Sequence, residues 1–500
     1  MTGICLLGLP LTAIALWFVC VPPLQPLMEY SSAELRRRCD ALQHELDEEW
    51  RRREGVVLAP GSRDPARAED QRSPTHLANE LKEYLRRLSA TTHARRSSEL
   101  FRIAEATLAV SENRFPDACA ILSDLESNRN SQVDATFARR VRSLRGDALV
   151  GLGEWEAALA CYQESGEGLL LGTKVCVCLT HLVERNGRSD LADELAAALT
   201  TLGLRLDNQS WTDDAIIVYT KAIALWEDLV TVDSYSESSI QLAGTLNNCG
   251  IALQRYGKVE HAILHFDRAI AIQTQLAEGD EGGRATRHLA DTLCNRGSLL
   301  LNLGDSARAF DDLNKSVAIL QELAEQDGDA FVRNLVSALN NRALTQHQLG
   351  RHTAAIEDLD FAIEELRRVS SRTGRQYDFR LIVTSLANRA AVSREIGNAE
   401  QAIEDADLAI AMVSALTGQP GQDELLGMCY AERGAAWRDL GNLPKAIADL
   451  DRAVLRFECH LRQSPDMPMP RKLADVFDML AALHAVDEPH PHDAANPELR

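Results

Sequence analysis

Between Leu246 and Ile272 apolar and small residues return at offsets of three and four: Leu246, Cys249, Gly250 and Leu253, then Ala262, Phe266, Ala269 and Ile270. Offsets of that size gather side chains on one face of an α-helix. The two runs are separated by Tyr256-Gly257-Lys258, and glycine can take the positive φ that closes a helix. The segment therefore predicts two antiparallel helices, A and B, joined by a tight turn. The same arrangement returns along the chain. Gly257, Gly304, Gly350, Gly397 and Gly441 stand 47, 46, 47 and 44 residues apart. Each is followed five residues later by Ala262, Ala309, Ala355, Ala402 or Ala446, and preceded seven earlier by Gly250, Gly297, Ala343, Ala390 or Gly434. A fixed period carrying the same small residues marks a repeated supersecondary unit. The small residues stand where two helix backbones approach, and a larger side chain there would force them apart. The expected fold class is all-α, an α-solenoid of antiparallel helix pairs.

The repeated residues resemble the tetratricopeptide repeat family. One unit reads Leu246, Cys249-Gly250, Leu253, Gly257, Ala262, Phe266, Ala269; the next reads Leu293, Arg296-Gly297, Leu300, Gly304, Ala309, Leu313, Ser316; a late one reads Tyr430, Arg433-Gly434, Trp437, Gly441, Ala446, Leu450, Ala453. Upstream, Gly146, Leu149, Gly153, Ala158, Tyr162 and then Gly203, Leu206, Ser210, Ala215, Tyr219, Ala222 follow the pattern, with serine at the second turn; Ala106, Asn113, Ala118, Leu122 follows it less closely. The resemblance covers residues 97–486 and implies a right-handed superhelix with A helices lining its concave side. The family period is about 34 residues, shorter than the one here. The proline that closes helix B in the family is also absent; Thr274, Gln321, Arg367, Ser414 and Glu458 stand in its place. Without that stop, helix B is expected to run on for a further turn or two. This long-period form is similar to kinesin light chain repeats.

Along the chain, residues 1–27 read as an N-terminal membrane anchor, residues 28–96 as a charged helix, a linker and a lead-in helix, and residues 97–235 as irregular repeats. A helix around Leu169–Glu184 breaks the pairing there. Residues 236–486 read as the regular array with a C-terminal capping helix, and residues 487–500 as a disordered tail. Ile4 to Val21 is eighteen residues without a charge, just within spanning length, and Arg36-Arg37-Arg38 and Arg51-Arg52-Arg53 follow it. Basic residues favour the cytoplasmic side, so the expectation is a cytoplasmic array tethered through residues 4–21. The alternative is a soluble protein.

Charge and cysteine usage narrow the partners. The net charge is −21; residues 28–150 carry 21 basic and 21 acidic side chains, so the surplus lies in residues 151–500. An acidic array repels phosphate backbones, which argues against nucleic acid and toward neutral or basic peptides. Eleven cysteines without framework spacing read as free thiols in a reducing compartment.

Asparagine recurs two residues before the small Gly or Ala of helix A, at Asn248, Asn295, Asn341 and Asn388, with Asn247 and Asn340 beside two of them; Glu432 breaks the series. An amide offers both donor and acceptor, so a row of amides along a groove can bind the backbone of an extended peptide. The other reading is that these amides bond to the neighbouring repeat and fix the stacking. The neighbouring Arg296, Arg342, Arg389 and Arg433 read first as structural ion-pair partners and second as receivers of an acidic ligand end. The lysine-rich clamp of chaperone-binding relatives is not reproduced; its places hold Asn247, Cys294, Asn340, Ala387 and Ala431.

Candidate chemistry is sparse. Gly168-Leu-Leu-Leu-Gly172-Thr173-Lys174 echoes a phosphate loop with the wrong spacing, Val175 standing where a hydroxyl is needed. His261 and His265 are one helical turn apart without a third ligand, and Cys176-Val177-Cys178 reads as two thiols on one helix. No catalytic residue, metal or cofactor is expected. The expected function is a non-catalytic scaffold binding a protein or peptide segment; the alternatives are an enzyme with its site in residues 97–235, or a self-assembling array.

Overall fold

The computed structural model describes residues 37–44, 74–89, 99–127, 135–230, 237–278, 283–373, 379–415, 421–463 and 471–487. Every regular element among them is helical. The chain divides into two units between Val232 and Asp233. The expected anchor over residues 4–21, the linker over residues 56–72 and the tail beyond Asp487 lie outside the described residues. Among the described residues no helix is long and apolar enough to cross a membrane.

The turn between paired helices is one closure used eight times. At Gly257 φ is 83°; its N–H donates to Gln254 O and the next N–H, of Lys258, reaches back to Leu253 O. This pair of bonds satisfies the last carbonyls of helix A, and it needs a left-handed residue at the first position past the helix. Gly153, Gly304, Gly350, Gly397 and Gly441 repeat it. Asn113 and Ser210 do the same with φ of 57° and 62°, which explains how these two repeats keep the turn without glycine.

In the second unit five pairs follow one another: Glu237–Arg255 with Val259–Ala277, Arg284–Asn302 with Ser306–Asp327, Val332–Gln348 with His352–Thr373, Phe379–Glu395 with Ala399–Ser414, and Gln422–Asp439 with Leu443–Gln463. Within a pair, the small residue of helix A receives the side chain sixteen residues on. A methyl group added to Gly250 would lie 2.7 Å from the Phe266 ring, and one added to Gly297 or Gly434 would meet Leu313 at 2.7 Å or Leu450 at 2.9 Å. Between pairs one core continues, through Val317, Leu320, Leu339, Leu366, Leu386, Val413 and Leu426. Leu473, Val476, Leu480 and Leu483 of the closing helix Arg471–Asp487 cover its end against Leu450 and Phe457. Successive A helices touch at every step of this unit, whereas no two successive B helices share more than a marginal contact. Helices that converge on one side and diverge on the other curve the stack, with the A helices inside.

The missing proline has its expected effect in four pairs. Helix B runs past Thr274, Gln321, Arg367 and Glu458 to Ala277, Asp327, Thr373 and Gln463. Ala399–Ser414 is the exception and stops at the proline place itself. Gly418 and Pro420 follow within six residues, and both disfavour continuation of the helix. Gln422 Nε2 donates to Val413 O at 3.1 Å, serving a carbonyl that the truncated helix leaves open.

The first unit contains the pairs Glu99–Ser111 with Phe115–Ser127, Ala135–Leu152 with Trp155–Glu164, and Ala192–Asn208 with Thr212–Val230. Leu169–Glu184 stands between the second and third as a single helix. Its Lys174, 1% exposed, places Nζ 2.7 Å from Asp147 Oδ1, and the Tyr162 hydroxyl donates to the same oxygen at 2.7 Å. A charge that deep is held only when paired, so this ion pair fixes the odd helix against its neighbours. The lysine of the phosphate-loop echo is thereby engaged inside the protein. Helix Pro74–Ser89, opened by its proline, and a short helix over residues 37–44 also belong to this unit.

Candidate functional site

The six asparagines stand on the A helices of the second unit. Four of them connect consecutive helices. Asn295 Nδ2 donates to Asn247 Oδ1 at 3.0 Å. Asn388 Nδ2 donates to Asn340 Oδ1 at 3.2 Å, while Asn340 Nδ2 donates to Ser385 Oγ at 2.8 Å and to Val336 O at 3.0 Å. Asn340 and Asn388 are buried; Asn247, Asn248, Asn295 and Asn341 are half-buried. Asn341 Nδ2 lies 3.6 Å from Cys294 Sγ. The row thus contains inter-helix bonds, the arrangement that sets register between repeats, together with half-exposed amides at Asn248, Asn295 and Asn341. Glu432 breaks the series for a visible reason. It is 3% exposed and receives Arg394 Nη1 at 3.3 Å and the ammonium of Lys472, so where the next helix is the cap, an ion pair replaces the amide bond.

The neighbouring arginines form a row of three-way clamps. Arg296 sends Nε and Nη2 to the two oxygens of Asp312, both at 2.7 Å, and Nη1 to Asp267 of the preceding B helix at 2.6 Å. Arg342 holds Asp358 at 2.8 and 2.6 Å and Asn314 at 3.0 Å. Arg389 holds Asp405 and Asp360, and Arg433 holds Asp449 and Asp407. The fork geometry of a guanidinium suits such bidentate contacts. Hydrogen bonds donated to Asp312, Asp405 and Asp449 push the guanidinium pKa of Arg296, Arg389 and Arg433 upward, against burial. All four arginines are structural ion-pair partners; the second reading, an acidic ligand end, finds them already engaged. The partners were visible in the sequence as a recurring Asp-x-Asp or Asp-x-Asn on helix B, at Asp312/Asn314, Asp358/Asp360 and Asp405/Asp407. Sequence reasoning missed that signal.

A cleft of about 350 Å³ opens near the N-terminal ends of two A helices, lined by Arg287, His288, Asp291, Ala330, Phe331 and Asn334. Asn334 Nδ2 donates to Asp291 Oδ1 at 2.6 Å, and the Arg287 guanidinium stands 5.9 Å from the Phe331 ring centre. Burial raises the Asp291 carboxyl above the usual range, and the bond from Asn334 opposes that rise.

The remaining candidates are placed as follows. His265 Nδ1 lies 3.0 Å from the His261 carbonyl oxygen, and among the described residues no three metal-binding side chains converge. Cys176 and Cys178 are both buried, and burial pushes the Cys176 thiol up to about 12.

No protein-family model and no curated protein matches the chain. Solved structures do. BtubC (BKLC) from P. vanneervenii is 18% identical and matches over 52% of this chain and 95% of its own, with a TM-score of 0.41. A tetratricopeptide repeat protein from Parabacteroides merdae is 16% identical over 69% of this chain and 99% of its own, at 0.37. Kinesin light chain TPR-like repeats from Podosopora anserina are 16% identical over 46% and 98%, at 0.35. At these values the likeness concerns fold alone, and the fold rests on the helix pairs themselves. With left-handed turns at a period of 44–47 residues, small residues facing large ones sixteen positions on, and A helices stacked inside, the chain is in fold a tetratricopeptide-like repeat array.

Proposed function

We propose that the protein is a non-catalytic interaction scaffold whose second unit captures an extended protein segment along its A-helix face. The observation that carries this reading is the convergence of successive A helices, which makes that face the inner one and aligns the half-buried amides of Asn248, Asn295 and Asn341 at repeat spacing. A line of amides can pair with a peptide backbone whatever its side chains, because each carries a donor and an acceptor. Asn247, Asn340 and Asn388 hold the lining in register and serve the same surface from beneath. The arginine clamps leave the acidic surplus of this part of the chain uncompensated, so preferred segments are neutral or basic.

The test uses the full chain panned against a displayed peptide library. The triple variant Asn248→Ala, Asn295→Ala, Asn341→Ala is expected to bind the selected peptides at least about tenfold more weakly, with unchanged far-ultraviolet circular dichroism. Undiminished binding by a folded triple variant would remove the amide row from the site. Loss of helicity would assign the row to stacking.

A further inference from the structure

In the first unit the corresponding face is covered, and the cover is part of the same chain. Residues 37–44 form a short helix whose Cys39 and Leu42 are 3% and 0% exposed. They sit in a core cluster with Leu81 and Leu85 of helix Pro74–Ser89 and with Phe101, Ile103, Val141 and Leu144 of two A helices. The polar contacts surround this apolar pair. Arg38 Nη1 donates to Glu80 at 3.0 Å, the Asp40 carboxylate receives Arg140, and Gln43 Nε2 donates to Asp147 Oδ2 at 3.3 Å. Cys39 Sγ lies 3.4 Å from Thr107 Oγ1. Since the Thr107 hydroxyl donates to Ile103 O at 2.8 Å, the thiol is the donor in that contact.

The positions touched are the repeat's own groove positions. Thr107 follows the small Ala106 and Asp147 follows the small Gly146. In the second unit that place is held by Ile251, Ser298, Leu344 and Ala391, all half-buried, and by the buried Ala435. Arg140 stands six residues before Gly146, as Asp291 stands six before Gly297 in the cleft of the second unit. The short helix therefore lies where a ligand of an A-helix face would lie.

We infer that this face of the first unit is a binding site for a short amphipathic helix, and that residues 37–44 are its resident occupant, exchangeable for a partner helix of the same pattern. That pattern is an apolar pair three residues apart, an acid directly after the first apolar residue and an amide directly after the second. The site also states a preference. Arg140 Nη1 is engaged by Asp40, while Arg140 Nη2 is buried without a hydrogen-bond partner. A glutamate in place of the aspartate is one methylene longer and can approach both nitrogens, so a glutamate-bearing helix is the better ligand. This inference stands apart from the capture of extended segments by the second unit; its readout, Cys39, is in the first unit and is unmoved by the asparagine variants.

The experiment measures alkylation of Cys39 by iodoacetamide in the full chain, followed by mass spectrometry. The added probe is a synthetic peptide of residues 31–46 with serine in place of its cysteine. Excess peptide is expected to raise the Cys39 alkylation rate at least tenfold, and the same peptide with glutamate at the Asp40 place is expected to do so at lower concentration. Leu42→Glu is expected to expose Cys39 without peptide and to bind a fluorescent form of the peptide at least tenfold better than the wild-type chain. Because that change could also loosen the unit, Asp40→Arg provides a second release, and adding Arg140→Asp to it is expected to restore slow alkylation. Peptide that leaves Cys39 protected and fails to bind folded Leu42→Glu and Asp40→Arg chains would overturn the inference, since the helix would then be a fixed part of the core.

Discussion

Asp312 is the residue on which the first clamp turns. Its carboxylate is 6% exposed and accepts two bonds from Arg296. Asp312→Ala leaves the mostly covered guanidinium with Asp267 alone, and losing such charge-assisted bonds costs about 1.5–3 kcal/mol. A urea titration of the variant should show that drop, and Arg296→Met combined with Asp312→Leu should recover most of it, because apolar side chains of similar volume replace a buried pair at little cost. Cysteine behaviour is set at this scale too. Burial pushes the thiols of Cys249 and Cys429 up to about 12, and that of Cys294 up to about 11. A thiol in that range is protonated at pH 8 and a poor nucleophile, so these three are expected to resist iodoacetamide until denaturant is added, as mass spectrometry would report. His347 contributes a pH dependence. Burial lowers its pKa, and His352, with Nδ1 3.1 Å from the Nδ1 of His347, lowers it further. The unfolded chain then binds a proton more readily than the folded one below about pH 6.5. Stability contributed by neutral His347 is whole above that value and declines as pH falls through it. The urea midpoint should fall less between pH 7.5 and 5.5 in His347→Gln than in the wild-type chain.

At the scale of the helix pair, the clearest prediction concerns fit between the two helices. Gly250→Val would drive its side chain into the Phe266 ring, and overpacking of this kind costs about 1–3 kcal/mol. The loss should appear as a lower urea midpoint, and combining it with Phe266→Ala should return part of it, since the fourth pair already works with Ala390 opposite Ala406. Most of this level was legible in the sequence. Periodicity located the pairs, the glycines marked their turns, and the missing proline announced the longer B helices because each is a local effect of backbone sterics. What escaped was relational. The partners of the arginines lie 16 residues ahead and 26–29 behind, and no local pattern couples such places until the helices are laid side by side. The asparagine row was found and bonding to the neighbouring repeat was weighed as its alternative role, but not which amides pair, with Asn247 and Asn340 as acceptors. Residues 37–44 read only as part of a charged helix; the two buried side chains needed a neighbouring face before they meant anything.

For the whole molecule, stability is expected to pass between neighbours rather than be shared at large, as in any stack in which each repeat touches those beside it. Asp312→Ala should therefore speed amide exchange first in residues 284–348 and leave residues 135–230 at their wild-type rates, which hydrogen exchange with mass spectrometry can resolve. The clamps also give the stack a direction. Each arginine reaches backward to the helix before it, to Asp267, Asn314, Asp360 or Asp407, and the first pair of the second unit has Cys249 where an arginine would reach back. Shortening the array from its front, one pair at a time, would leave a guanidinium with an empty third limb at every cut. Shortening it from behind would bare Asp407, already in solvent, and would also take Glu432 and Asp439 from Arg394. A duplicated pair appended behind brings its own hook and finds an eye already waiting in the exposed Asp451.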